Sequence, residues 1–496
     1  MGVVRRQSVI NTLLTYVGFG LGAVNTLVLY TRFMSDAYFG LVGVVLSTGT
    51  LLMPLLSFGI PNTLVKYFPA YAEGPRRNGL LSFMLILPLL LILPLGIFSA
   101  LAENAIGAFL SRQNEEVSGY VWHIFLVGLA MAYFEIFFTW SKVRLRSAFG
   151  TFMKEVFARI GVMAMLLALY FDWMDQALFL QVLVGLYLLR TLVMAGYALN
   201  VQPVRISLNF PKERREITVY SALILLGGSV SVLLLEIDRF MINQYIPIEN
   251  VAYYTVAVFI ATVIIVPQRA MHQITYPITA QLMHEEDRAG LGSLYRKSSL
   301  SLLIVSLLVF LLILLNLEEL YALLPENYRG GFWIIVLIGA ARVYDSFLGI
   351  NSAILYNSKY YRTLLAMGIA LAVLTVLLNT WLIPGYGLEG AALATFVALG
   401  LYNTVKLIFV KATFQLVPWS KGTIQVLGLA ILTYFLFYWL SFPFHPILAI
   451  GAKSMLIGLF FMGIVLRLRL VPEMGGMLPK WLQKSGPREN DSSAGS

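Results

Sequence analysis

The sequence contains no cysteine, which excludes disulfides, thiolate metal sites and cysteine nucleophiles together. Charge is scarce as well. Only 12% of the 496 residues are Asp, Glu, Lys or Arg, while 59% are hydrophobic, against roughly 25% and 45–50% in soluble domains. A soluble fold cannot bury that much apolar surface, so lipid is the solvent for most of the chain. Histidines number four, and His123 and His272 stand alone without ligand spacing, which reads as core or interfacial imidazoles and offers no metal site. No Walker-type phosphate loop occurs, which argues against direct ATP hydrolysis. No cofactor is expected.

What the chain does have is long apolar runs. A helix needs about 20 residues to cross about 30 Å of hydrocarbon, and such runs lie near 8–31, 38–62, 79–101, 120–140, 156–172, 176–199, 218–242, 252–276, 298–316, 332–355, 363–383, 388–410, 422–441 and 447–466. Backbone groups cannot stay unpaired in lipid, and the runs are too long and uniformly apolar for barrel strands. The expected fold is therefore an all-α integral membrane protein of about fourteen transmembrane helices. The first run follows Arg5-Arg6 but is too long for a signal-peptide core and has no small-x-small cleavage site, so it reads as a retained helix.

The net charge of +10 suggests no nucleic-acid partner, because the basic residues sit in short clusters between apolar runs instead of on one face. They report orientation. With the N-terminus inside, 26 of the 35 Lys and Arg residues fall in inner segments, Lys142 to Lys154 and Lys406 to Lys421 among them, and only Arg32, Arg112 and Arg329 fall in outer loops. That bias fits fourteen crossings with both termini in the cytoplasm. Outer loops are short, the longest being about Ala102 to Gly119, which leaves little room for an extramembrane catalytic domain. The stretch 467–496 reads as a cytoplasmic tail.

The halves repeat. Arg32-Phe33-Met34 recurs as Arg239-Phe240-Met241, Tyr67-Phe68-Pro69 is echoed by Tyr276-Pro277, and Gly185-Leu186-Tyr187 recurs as Gly400-Leu401-Tyr402. The nearly constant offset predicts two parallel six-helix lobes, 1–205 and 206–415, followed by two added helices over 416–466. A cavity between parallel repeats is the usual substrate site of a transporter.

Several local patterns carry a family likeness. They are Asp36-Ala37-Tyr38-Phe39-Gly40-Leu41, Ser57-Phe58-Gly59-Ile60-Pro61, Glu236-Ile237-Asp238-Arg239-Phe240-Met241, and Pro384-Gly385-Tyr386-Gly387-Leu388-Glu389-Gly390-Ala391-Ala392. With the six-six-two arrangement they resemble the polysaccharide-transporter (Wzx-type flippase) branch of the multidrug/oligosaccharidyl-lipid/polysaccharide exporter superfamily. The resemblance implies export of a polyprenyl-pyrophosphate-linked oligosaccharide across the cytoplasmic membrane for O-antigen, capsule or exopolysaccharide synthesis. It implies membrane lipids, a polysaccharide polymerase and glycosyltransferases as partners. Glu236 beside Asp238 departs from the family's usual pattern.

An ionisable group at mid-bilayer costs roughly 2.5–3.5 kcal/mol, so each one asks for a partner or a wet cavity. Arg190, without a local acid, and Arg269 are candidates for holding a pyrophosphate, since a planar guanidinium suits charge-assisted bonding to phosphate. Arg342 lies three residues before Asp345 and can either neutralise it or contact substrate with it. Arg269 and Arg159 could instead snorkel to the inner surface, and Lys453 to the outer one. Glu236, Asp238 and Arg239 are gating candidates, and Glu135 is a candidate for proton coupling or for pairing with an arginine of a neighbouring helix. A drug/cation antiporter would want an acid-rich cavity, and a membrane glycan polymerase or ligase would want catalytic side chains on a large outer loop. The intramembrane arginines and the short loops weigh against both.

Overall fold

The computed structural model describes residues 2–71, 73–443 and 445–470, and among them every regular element is helical. Residues 471–496, most of the expected tail, lie outside the described residues. Each of the fourteen apolar runs falls on helix for most of its length. Among the described residues, nine helices are long and apolar enough to cross a membrane. The longest of these, Tyr361–Phe414, has 54 residues. That is about 80 Å of helix, far more than a hydrocarbon core of about 30 Å. At Gly387 the backbone leaves helical geometry, with φ 57° and ψ −133°, and divides the run into two helices.

Helix starts follow from side chains that satisfy the first free amides. Ser35 accepts from the Tyr38 amide ahead of Asp36–Ser57. Asp175 accepts from Leu178 at 2.6 Å ahead of Gln176–Val201, and Asp287 from Gly290 at 2.8 Å ahead of Arg288–Leu315. Ser420 and Thr423 form a reciprocal capping box on Lys421–Phe437.

Two helices are broken at left-handed residues. Phe58 (φ 50°) and Gly59 (φ 66°) separate Asp36–Ser57 from Ile60–Tyr67, and a Cβ on Gly59 would come within 2.4 Å of the Ser221 carbonyl oxygen. Only glycine fits both demands. Gly349 (φ 52°) likewise separates Phe332–Phe347 from Asn351–Tyr356, and a Cβ there would lie 2.6 Å from Ser299 Oγ.

The chain groups into two compact units. Unit 1 comprises Met1–Ala261, Leu320–Ile338 and Leu365–Leu399. Asp36–Ser57 and Gln176–Val201 pack against Val121–Lys142, and one core cluster buries Phe134, Trp140, Leu80 and Met194. Unit 2 comprises Thr262–Glu319, Gly339–Leu364 and Gly400 onward. One of its cores joins Arg288–Leu315 to Lys421–Phe437 and Pro446–Arg467 through Leu303, Val426, Ile457 and Phe461.

That second core corrects one expectation. Lys453 does not snorkel: it is 4% exposed, and its Nζ donates to Glu319 Oε1 at 3.0 Å. Asn316 donates to Ser454 beside it. An ammonium facing lipid would be costly, and a carboxylate from a distant stretch of chain neutralises it inside the packed unit.

Candidate functional site

In unit 1, Glu135, Thr139 and Lys142 recur at helical spacing on one face of Val121–Lys142 and line a cavity of about 330 Å³. Across it stand Ser57, Gly59 and Asn62, at the break in the second helix, and Lys154. Lys154 sits in a π-helical turn, Met153–Phe157, a widened turn that often marks functional positions. Its Nζ donates to Glu135 Oε1 at 2.5 Å. Glu135 thus pairs with a lysine, not with an arginine. Lys142 lies over the Phe138 ring, 3.7 Å from its centre. The cavity therefore presents two ammonium groups to one carboxylate.

Arg190 does not line this cavity. It is 6% exposed, and its guanidinium lies 4.2 Å and 4.5 Å from the ring centres of Phe134 and Tyr187. Its Nε has no hydrogen-bond partner among the described residues. Cation–π contact takes the place of an acid. Arg159 pairs with Glu155 at 2.8 Å, one turn away on its own helix.

Unit 2 holds a cavity of about 180 Å³. Gln268, His272 and Tyr276 share one face of Val266–His284, with Arg269 beside them. Asp345, Gly349, Ser352 and Lys406 close the other side. Lys406 Nζ donates to Ser352 Oγ at 3.1 Å, stands 4.0 Å from Asp345 Oδ1, and lies 4.4 Å from the Tyr402 ring centre. Asp345 Oδ2 also accepts from Gln268 Nε2 at 3.3 Å. The His272 ring is 3.1 Å from the Gly349 carbonyl oxygen, which the left-handed glycine turns toward it. Arg269 lines this cavity, whereas Arg342, half-buried one turn before Asp345, does not.

A third cluster lies in unit 1 on Arg214–Tyr245. Asp238 is 6% exposed and accepts from Tyr254 Oη at 2.6 Å, Thr395 Oγ1 at 2.6 Å and Asn379 Nδ2 at 2.8 Å. All three donors are neutral. Its neighbours pair with each other instead: Arg239 donates to Glu236 at 2.6 Å and to Thr255 at 3.0 Å.

Outside the spans, loops of unit 1 are tied by charge. Glu73 accepts from Arg144 at 2.8 Å and Arg77 at 3.0 Å. The Arg144 guanidinium, and after it Arg77, holds the Glu73 carboxyl below its ordinary value. Tyr67 and Tyr71 donate to Glu216 and Glu213. Burial, reinforced by those carboxylates, pushes both phenols up to about 12.

Sequence reasoning does not single out Lys142, Lys154, Lys406, Asn379 or Thr395. The lysines read there as orientation charges. Polar Asn379 and Thr395 inside apolar runs are the signal that could have found the Asp238 cluster.

A family model described as polysaccharide biosynthesis protein matches residues 4–283. The chain belongs to that family. With nine helices among its described residues long and apolar enough to cross a membrane, it is a multi-pass membrane protein of that family. Among solved structures, the lipid II flippase MurJ in an inward closed conformation is similar with a TM-score of 0.73 at 12% identity, over 93% of this chain and 100% of that one. An inward-facing multidrug resistance MATE family transporter of the MOP superfamily gives 0.62 at 16% identity, over 82% and 98%. A MATE protein in the straight conformation gives 0.52 at 15% identity, over 83% and 96%. These likenesses are of fold. No curated protein matches the sequence.

Proposed function

We propose that this family member is a flippase for a polyprenyl-pyrophosphate-linked oligosaccharide, moving it across the cytoplasmic membrane for O-antigen, capsule or exopolysaccharide synthesis. The observation that carries this reading is the cavity of unit 1, where Lys142 and Lys154 outnumber Glu135. An intramembrane cavity with excess positive charge suits an anionic headgroup. Arg269 and Lys406 supply cations to the cavity of unit 2. Arg190 and Arg342 belong to the same cationic set without lining either cavity. In this scheme the prenyl chain stays in lipid while lobes 1–205 and 206–415 rock between two access states, with 416–466 appended and both termini in the cytoplasm. A polymerase and glycosyltransferases would use and supply the cargo.

Asp238 is the best-placed group for ion coupling. A buried carboxylate with three neutral donors and no cationic partner among the described residues can hold a small cation, and its hydrogen bonds change when it does. The Glu236–Arg239 pair, half-buried on the same helix, is the gate candidate.

The test is reconstitution. Liposomes holding the purified protein are supplied with a short prenyl-pyrophosphate glycan, and its movement between leaflets is followed for wild type, Arg190→Ala, Arg269→Ala and Lys154→Ala. Flipping by wild type, with loss of at least tenfold in Lys154→Ala, is expected. Absence of flipping by wild type, combined with proton- or sodium-driven uptake of an organic cation, would replace this reading with the antiporter one.

A further inference from the structure

We propose that Glu135 is a built-in stand-in for the anionic ligand, occupying Lys154 in the empty protein and giving way only to an anion of higher charge. The inference rests on the flippase reading for its ligand class, a diphosphate, and adds how the cavity selects for it.

Four observations place Glu135 in that role. The cavity of about 330 Å³ has room for on the order of ten waters, so it is large enough for a diphosphate beside the side chains already there. Its ion pair is open on the lysine side: Lys154 is 44% exposed and Glu135 17%, so an entering anion can reach the ammonium without first displacing the carboxylate. Lys142 lines the same cavity and makes no ion pair among the described residues, leaving a second ammonium that rests on the Phe138 ring. Around them Ser57, Asn62 and Thr139 bring polar atoms that can bond phosphate oxygens.

The selectivity follows from charge. A singly charged anion that displaces Glu135 from Lys154 exchanges one carboxylate-like contact for another and gains little. A diphosphate spans both lysines and brings at least two charges against Glu135's one, so the exchange favours it. The carboxylate thus sets a threshold: lesser anions of the cell interior meet an occupied site, and the multiply charged headgroup meets one it can open.

The experiment is titration calorimetry on the full-length protein in detergent, with inorganic pyrophosphate, inorganic phosphate and farnesyl pyrophosphate as probes. Glu135→Gln should bind both diphosphates about tenfold tighter than wild type and should prefer pyrophosphate over phosphate less strongly. Lys154→Gln should weaken pyrophosphate binding at least tenfold, and Glu135→Gln with Lys154→Gln should show no gain. A gain with farnesyl pyrophosphate alone would assign the site to a lipid-borne diphosphate and support the proposal. Binding of both diphosphates that is unchanged or weaker in Glu135→Gln overturns it. If that variant does not fold, Glu135→Asp, one methylene shorter, should give an intermediate gain, and its absence overturns the proposal equally. Wild type that binds pyrophosphate but flips no glycan in liposomes would sink the flippase reading while leaving the stand-in intact.

Discussion

The two units solve the same problem differently. Each has a helix broken at a left-handed glycine, Gly59 or Gly349, and each break lines a cavity where a carboxylate meets a lysine. In unit 1 that lysine is 44% exposed and meets its carboxylate at 2.5 Å; in unit 2 it is 3% exposed and stands 4.0 Å away. Lys406 is held by Ser352 and by the Tyr402 ring, and Asp345 is shared with Gln268. The exposed Lys154 can exchange its partner, whereas the buried Lys406 is fixed at the wall of its cavity. Burial, more than distance, separates the two.

That contrast is broken most severely by Asp345→Ala, which leaves Lys406 buried without its counter-charge. A buried cation that loses its counter-charge is costly, so this variant should show a clear fall in melting temperature and in folded yield. Glu135→Gln in unit 1 should cost about 1 kcal/mol or less while changing ligand binding. Equal losses in the two variants would erase the distinction between an exchangeable and a fixed pair.

Asp238 sharpens the comparison from a third side, because its partners are all neutral. Asp238→Asn keeps the shape and should abolish any dependence of transport on a proton or sodium gradient, with melting temperature altered less than in Asp345→Ala. Gradient-dependent transport that survives would remove Asp238 from coupling.

The smallest effect is expected outside the membrane. Glu73 has a carboxyl held below its ordinary value, so its contribution is fully present above that ordinary value and is lost as pH falls through the lowered one. Melting curves between about pH 5 and 3 should fall less steeply for Glu73→Gln than for wild type. Water screens this pair, and the difference should be slight.

Hydropathy is enough to place the helices, because an apolar run in lipid has no other way to satisfy its backbone. Caps such as Asp175 and Asp287 and the break at Gly387 are readable for the same local reason. Side-chain pairing is not. Glu135 meets Lys154 across a turn between two helices, and Asp345 meets Lys406 from a helix two crossings later. Periodicity carries no information about such partners, and counting lysines for orientation hides their second use. The repeated Gly-Leu-Tyr does hold a clue: Tyr187 and Tyr402 each lie beneath a cation three or four residues on, Arg190 and Lys406.

The Lys453–Glu319 pair has a bearing on how the protein is made. Glu319 leaves the ribosome 134 positions before its partner, and at ordinary elongation rates that gap lasts on the order of ten seconds. Through that interval the carboxylate waits without its ammonium. A chain that stops short of Pro446–Arg467 never receives it, and Glu319 stays without that counter-charge.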